Sequence, residues 1–151
     1  MIARSVDTNG PEETEALGAE LAGLLADGDV VLIVGELGAG KTTLVRGAAR
    51  ALGVSDPVTS PTFSIGHRYR TEGAMVCHLD LYRLGSLEQE DPELLADYLG
   101  VGRIAFVEWP KEDERELQAA RIRITLSHAG GDRRHAEVQE LPASPAAGGQ
   151  A

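Results

Sequence analysis

The stretch "VVLIVGELGAGKTTLVRG", Val30 to Gly47, decides the fold. Val30 to Val34 is a β-branched apolar run, which reads as a buried central strand. The segment "GELGAGKT", Gly35 to Thr42, fits G-x-x-x-x-G-K-[ST] at every position, and "KTTLVRGAARALG" continues as a helix closed by Gly53. Gly35, Gly38 and Gly40 let the backbone wrap a polyphosphate, and the loop amides, those of Glu36, Leu37 and Ala39 among them, can then turn inward. Lys41 supplies a mobile cation for the β- and γ-phosphates, Thr42 a hydroxyl for Mg²⁺, and the helix its positive end. The bland alternative is a glycine-rich turn that happens to hold Lys-Thr. The strand–loop–helix setting argues against it. The motif predicts nucleotide binding without distinguishing a kinase, a motor, a switch or an assembly ATPase.

The rest of the composition narrows the class. The chain has 151 residues, 42% of them hydrophobic and 4% aromatic, so one domain with an aliphatic core is expected. The formal net charge of -10 argues against tight nonspecific nucleic-acid binding by this chain alone. A single cysteine, Cys77, excludes an internal disulfide and suits a reducing cytoplasm. No apolar run approaches the roughly 18 residues that span a bilayer, and "MIARSVDTNG" lacks a signal-peptide core, so no membrane association is expected.

Along the chain, "TNGPEETEALGAELAGLLADGD" predicts a helix with Leu17, Leu21, Leu24 and Leu25 on one face, capped by Thr8 or Asn9 and ended at Gly28-Asp29. "FSIGHRYR", "AMVCHLDLYRL" and "RIAFVEW" read as strands, "SLEQEDPELLADYLG" as short helical pieces, and "KEDERELQ" as a charged surface segment. "ARIRITLSHAGGDRRHAEVQEL" alternates on both sides of a Gly-Gly turn and predicts a hairpin. The expected fold is α/β: a P-loop NTPase-like mixed, largely parallel sheet flanked by helices, with a C-terminal antiparallel hairpin. Residues 1–141 form the single domain, and the low-complexity 142–151, "PASPAAGGQA", is a disordered tail.

A phosphate loop needs further acids at strand ends. Asp80 follows "MVCHL" and Glu108 follows "IAFV". The carboxyl ends of parallel strands share the rim with the loop, so both can converge on metal and γ-phosphate. Spacing does not say which coordinates Mg²⁺ and which handles water. Thr62 in "TSPTFS" is either a γ-phosphate sensor or part of a turn around Pro61. Trp109 reads equally as a lid or partner anchor and as packing at a strand end. Cys77 and His78 read as core residues.

Taken together, "GELGAGKTTLVRG", "SPTF", "HLDLYRL" and "VEWP", in this order, resemble the TsaE (YjeE) family. The resemblance runs from the first helix to the C-terminal hairpin. It implies a cytoplasmic, Mg²⁺-dependent ATPase of weak intrinsic turnover that supports threonylcarbamoyladenosine (t6A) formation on tRNA. It implies action with a TsaB–TsaD heterodimer, in which TsaD transfers the group and tRNA is met only indirectly. Carried over by motif, Lys41 and Thr42 bind phosphate and Mg²⁺, Thr43 extends the loop, and Thr62 is the switch-like hydroxyl. Asp80 lies near nucleotide and metal, Glu108 on Mg²⁺ or its water, and Trp109 beside it. Thr8 and Arg133 approach the nucleotide, with Arg133 and Arg134 both open because the turn "AGGDRRH" varies in length. The basic residues of "FSIGHRYR" depart from the family pattern.

The competing function is a small-molecule P-loop kinase with Asp80 as general base. Against it, the arginines are scattered rather than gathered in a lid segment. A third reading is a nucleotide-dependent binding module that scarcely hydrolyses.

Overall fold

The computed structural model describes residues 2–36, 38–59, 61, 66–81, 98–109 and 120–141. The helical pieces expected around 86–97, the charged segment at 111–118, Thr62, Leu37 and the tail 142–151 lie outside them.

Seven strands and two helices make up the described residues: β1 (Ile2–Thr8), α1 (Pro11–Ala22), β2 (Val30–Gly35), α2 (Lys41–Ala51), β3 (Gly66–Tyr69), β4 (Met75–Asp80), β5 (Arg103–Glu108), β6 (Ile122–His128) and β7 (Arg134–Glu140). They form one sheet in the order β1-β7-β6-β2-β5-β4-β3. The four central strands, β6, β2, β5 and β4, run parallel. β3 and the β6–β7 hairpin add antiparallel pairings, as does β1 on β7. The expected α/β class, parallel centre and C-terminal hairpin are all present.

The central strands read as apolar runs because both of their faces are covered. On one face Val31, Ile33, Val76, Ile104, Phe106, Ile122 and Ile124 pack under α1 and α2. On the other, Val30, Leu32, Cys77, Leu79, Ala105 and Val107 form a second cluster. Cys77 is fully buried, and burial raises its thiol to about 11. That fits the core role expected of it.

Two expectations about the N-terminal segment change. β1 was not anticipated; it exists because its backbone pairs with β7 from Ile2↔Glu140 to Thr8↔Arg134. The helix is shorter than its leucine pattern suggests. It begins after Gly10 with no side-chain cap, and stops at Ala22, where the Gly23 amide bonds back to Glu20. Leu24 is consequently half-exposed, while Leu25 still packs against the core.

Where α1 crosses α2, the backbones touch. A Cβ on Gly18 would fall 2.1 Å from the Leu44 carbonyl oxygen, and one on Gly47 1.9 Å from that of Glu15. Neither acceptor can move without shifting a helix. Glu15 adds ion pairs to Arg46 and Arg50 at the same crossing. Gly47→Ala should therefore destabilise the fold by about 2 kcal/mol or more through overpacking, although alanine is the better helix former by about 1 kcal/mol. Urea unfolding checks this; equal or greater stability would contradict the close crossing.

The β1–β7 seam carries a second testable feature. His135 Nδ1 donates to Asp7 Oδ1 at 2.6 Å, and Glu137 lies on the other ring nitrogen. The Asp7 hydrogen bond, above all, lifts the imidazole above its usual value, with burial opposing and Glu137 assisting. A raised folded-state value stabilises fully below the unfolded value of about 6.5, and that contribution disappears as pH rises through the folded one. Stability should thus fall across this window in the native protein, and Asp7→Asn should flatten the slope. An unchanged slope in the variant would show that the pair is not coupled to folding.

Candidate functional site at the glycine-rich loop

β2 delivers the loop to the carboxyl rim of the sheet, and α2 starts directly after it. The chain turns there through Gly38 and Gly40, at φ +76° and +98°. Side chains rarely adopt this backbone region, so glycine is required. Ala39 between them is fully buried. The result is an open cleft of about 330 Å³ over the start of α2.

Lys41, the first residue of α2, is only 5% exposed. Its ammonium donates to the carbonyls of Gly35 at 2.8 Å and Glu36 at 2.7 Å. It also sits 4.3 Å from the centroid of the Trp109 ring, a cation–π contact. Burial lowers the Lys41 pKa, while the nearby carboxylates of Glu108 and Asp80 pull it back up. An ammonium has three protons, so two carbonyl contacts leave one for a ligand.

Glu108 ends β5 and is 3% exposed. Two groups meet its Oε2 atom. The Thr42 hydroxyl donates from α2 at 3.0 Å, and His78 Nε2 approaches from β4. Among the described residues no hydrogen bond engages Oε1, and Glu108 lines the cleft. Asp80 is paired with Glu108 in the parallel register of β4 and β5 and lines the same cleft.

Trp109 follows at φ +56°, the one described non-glycine residue in the left-handed region. A bulky residue there costs on the order of 1–3 kcal/mol. The turn directs its ring over Lys41 and into the wall of the cleft. The ring both lines the cleft and rests on the first residue of α2, so these contacts fit the lid reading and the packing reading alike.

The structure therefore brings together Gly38, Gly40, Lys41, Thr42, Thr43, Asp80, Glu108 and Trp109. Gly35 and Glu36 contribute the carbonyls on Lys41. Thr8 does not reach the cleft. It is buried, with its hydroxyl 2.8 Å from that of Thr14, and Thr14 lines a smaller adjoining hollow. Of the two hairpin arginines, Arg134 reaches the cleft and donates to the Gly38 carbonyl at 3.0 Å, whereas Arg133 lies exposed at the turn.

His78 sits in the core as expected, with a polar contact that the sequence reading did not foresee. It is fully buried, as a core residue would be, yet its Nε2 is spent on Glu108. The signal was present: alternate residues of a strand share a face, which sets His78 beside Asp80 rather than with Cys77 and Leu79.

The oxygen-bearing side chains at the cleft are two carboxylates and two hydroxyls, a hard-oxygen set that suits Mg²⁺ better than a soft or borderline metal. A lysine and an arginine provide the cationic side for an anionic ligand, whereas the Ala39 amide, expected to turn inward, donates to the Glu36 carbonyl at 3.1 Å.

A glycine-rich loop between a parallel strand and a helix, with acids on neighbouring strand ends, defines a P-loop NTPase-like α/β protein. Residues 8–136 match the family described as "Threonylcarbamoyl adenosine biosynthesis protein TsaE". The chain is 39% identical over 127 residues to the tRNA threonylcarbamoyladenosine biosynthesis protein TsaE of Bacillus subtilis, covering 84% of this chain and 79% of that protein. It is 43% identical over 118 residues to the Streptomyces coelicolor protein of the same name, covering 77% and 80%. A crystal structure of Bacillus subtilis YdiB superimposes with a TM-score of 0.74 at 31% identity, over 93% of this chain and 87% of that one. The chain belongs to the TsaE family.

The Lys41–Trp109 contact can be read directly, since Trp109 is the only tryptophan. Lys41→Met keeps the apolar stem and removes the cation. The position or intensity of tryptophan emission should change in the ligand-free protein. An identical spectrum would mean that the ammonium does not rest on the indole.

Proposed function

We propose that this protein is a Mg²⁺-dependent ATPase that supports t6A modification of tRNA in the cytoplasm. It acts with a TsaB–TsaD complex and does not transfer the threonylcarbamoyl group itself. The observation that carries the reading is the convergence of Lys41, Thr42, Asp80 and Glu108 on one cleft at the carboxyl rim of the parallel strands. Family membership supplies the pathway.

In this reading the loop amides and the start of α2 hold the phosphates, with Lys41 completing the cradle from its anchorage on Gly35 and Glu36. Bound Mg²⁺ would neutralise charge on the β- and γ-phosphates. Thr42 and Glu108 would hold it, already linked to each other by a hydrogen bond. Asp80, one strand over, stands where a carboxylate can orient water. Arg134 closes the loop from the hairpin side through Gly38. Trp109 shields the lysine from solvent on its outer face.

ATP binding and hydrolysis should be measured with and without TsaB–TsaD, alongside tRNA modification. Turnover is expected to be slow alone and faster with the partners. Lys41→Ala should weaken ATP binding by about 10- to 100-fold, the worth of a charge-assisted hydrogen bond of about 1.5–3 kcal/mol. Glu108→Ala should abolish turnover while ATP still binds. Indifference of both turnover and modification to the partners would overturn the proposal, and efficient phosphorylation of a small metabolite would favour a kinase.

A further inference from the structure

We infer that His78 is a positioning residue for the metal-supporting carboxylate of Glu108, fixing which oxygen of that group faces the cleft. The inference rests on the reading of Glu108 as a Mg²⁺-supporting group.

The geometry is specific. His78 Nε2 and Thr42 Oγ1 both address Oε2, one from β4 and one from α2. That holds Oε2 from two elements and leaves Oε1 as the oxygen with no hydrogen bond among the described residues. The imidazole is itself enclosed: it is fully buried on β4, and His78 pairs with His67 across the antiparallel register with β3. Among the described residues its Nδ1 is buried with no hydrogen-bond partner. An isolated core histidine would ordinarily satisfy that nitrogen. Here the ring's one hydrogen bond among the described residues is to Glu108, so its placement serves that carboxylate. Groups that orient metal-supporting side chains typically change metal affinity 10- to 100-fold when removed.

A pair of amide substitutions separates positioning from packing. In His78→Gln the side-chain amide extends to about the place of Nε2 and can still donate to Glu108. In His78→Asn it stops near the place of Nδ1. Both are polar and of similar bulk, so a merely structural role would not rank them in this way. Two titrations are read by Trp109 fluorescence: ATP in excess EDTA, then Mg²⁺ at saturating ATP. His78→Asn should raise the Mg²⁺ concentration at half-saturation about 10-fold or more. It should leave metal-free ATP binding within about threefold. His78→Gln should recover most of the loss, and in a Glu108→Gln background the two His78 variants should no longer differ.

Equal Mg²⁺ dependence in His78→Asn and the native protein, beside a clear shift in Glu108→Gln, would overturn the positioning role and leave the metal reading standing. No shift in Glu108→Gln would instead overturn the metal reading. The native protein provides a check that does not depend on variants folding. In ¹⁵N-histidine NMR, His78 should carry its proton on Nε2. A proton on Nδ1 alone would show that His78 does not donate to Glu108, and the inference would fail.

Discussion

A carboxyl group at 3% exposure is the constraint around which this site is organised. Left without partners, a buried carboxylate would cost several kcal/mol. Glu108 avoids that by drawing a hydroxyl from α2 and an imidazole from β4, with the Lys41 ammonium nearby. Three elements far apart in sequence must therefore arrive together. The parallel register of β5 with β4 and β2 brings them there, setting Glu108 beside Asp80 on one side and Ile33 on the other. Topology and site chemistry are one requirement in this protein: shift β5 by one residue and Glu108 would turn to the opposite face.

The same economy applies to the loop. Lys41 is buried and desolvated, and its cost is offset by two carbonyls and an indole before any ligand arrives. The left-handed backbone at Trp109 is the strained part of that arrangement. Local strain at a functional position is tolerable because the neighbouring strand is fixed by pairing: the Trp109 amide still bonds the Ile33 carbonyl.

Much of this was legible in the residues. The loop motif named the β2–α2 unit, and acids after apolar runs named β4 and β5 as rim strands. What escaped has common physical causes. β1 has little apolar alternation, since Val6 is only partly buried, and its stability comes from backbone pairing with a strand more than a hundred residues away. Local pattern carries no record of such a partner. The end of α1 was misjudged because Leu24 and Leu25 continue the helical spacing after the backbone has left the helix. The core position of His78 was legible, but its contact with Glu108 went unread, because it depends on the pairing of β4 with β5. The choice between Arg133 and Arg134 depended on where a two-glycine turn places the first residue of β7, and adjacent strand residues point to opposite faces.

The crossing of α1 and α2 has a mechanical consequence. At Gly18 and Gly47 main chain lies against main chain, with no side chain between to flex or change rotamer. Compliance in a protein interior resides mostly in side chains, so this junction is stiff. The two helices transmit displacement as one piece. The amino end of α2 follows the glycine-rich loop, and the amino end of α1 carries Thr14 beside it. The outer surface of α1 is thus joined by direct backbone contact to the helix whose first residue is Lys41.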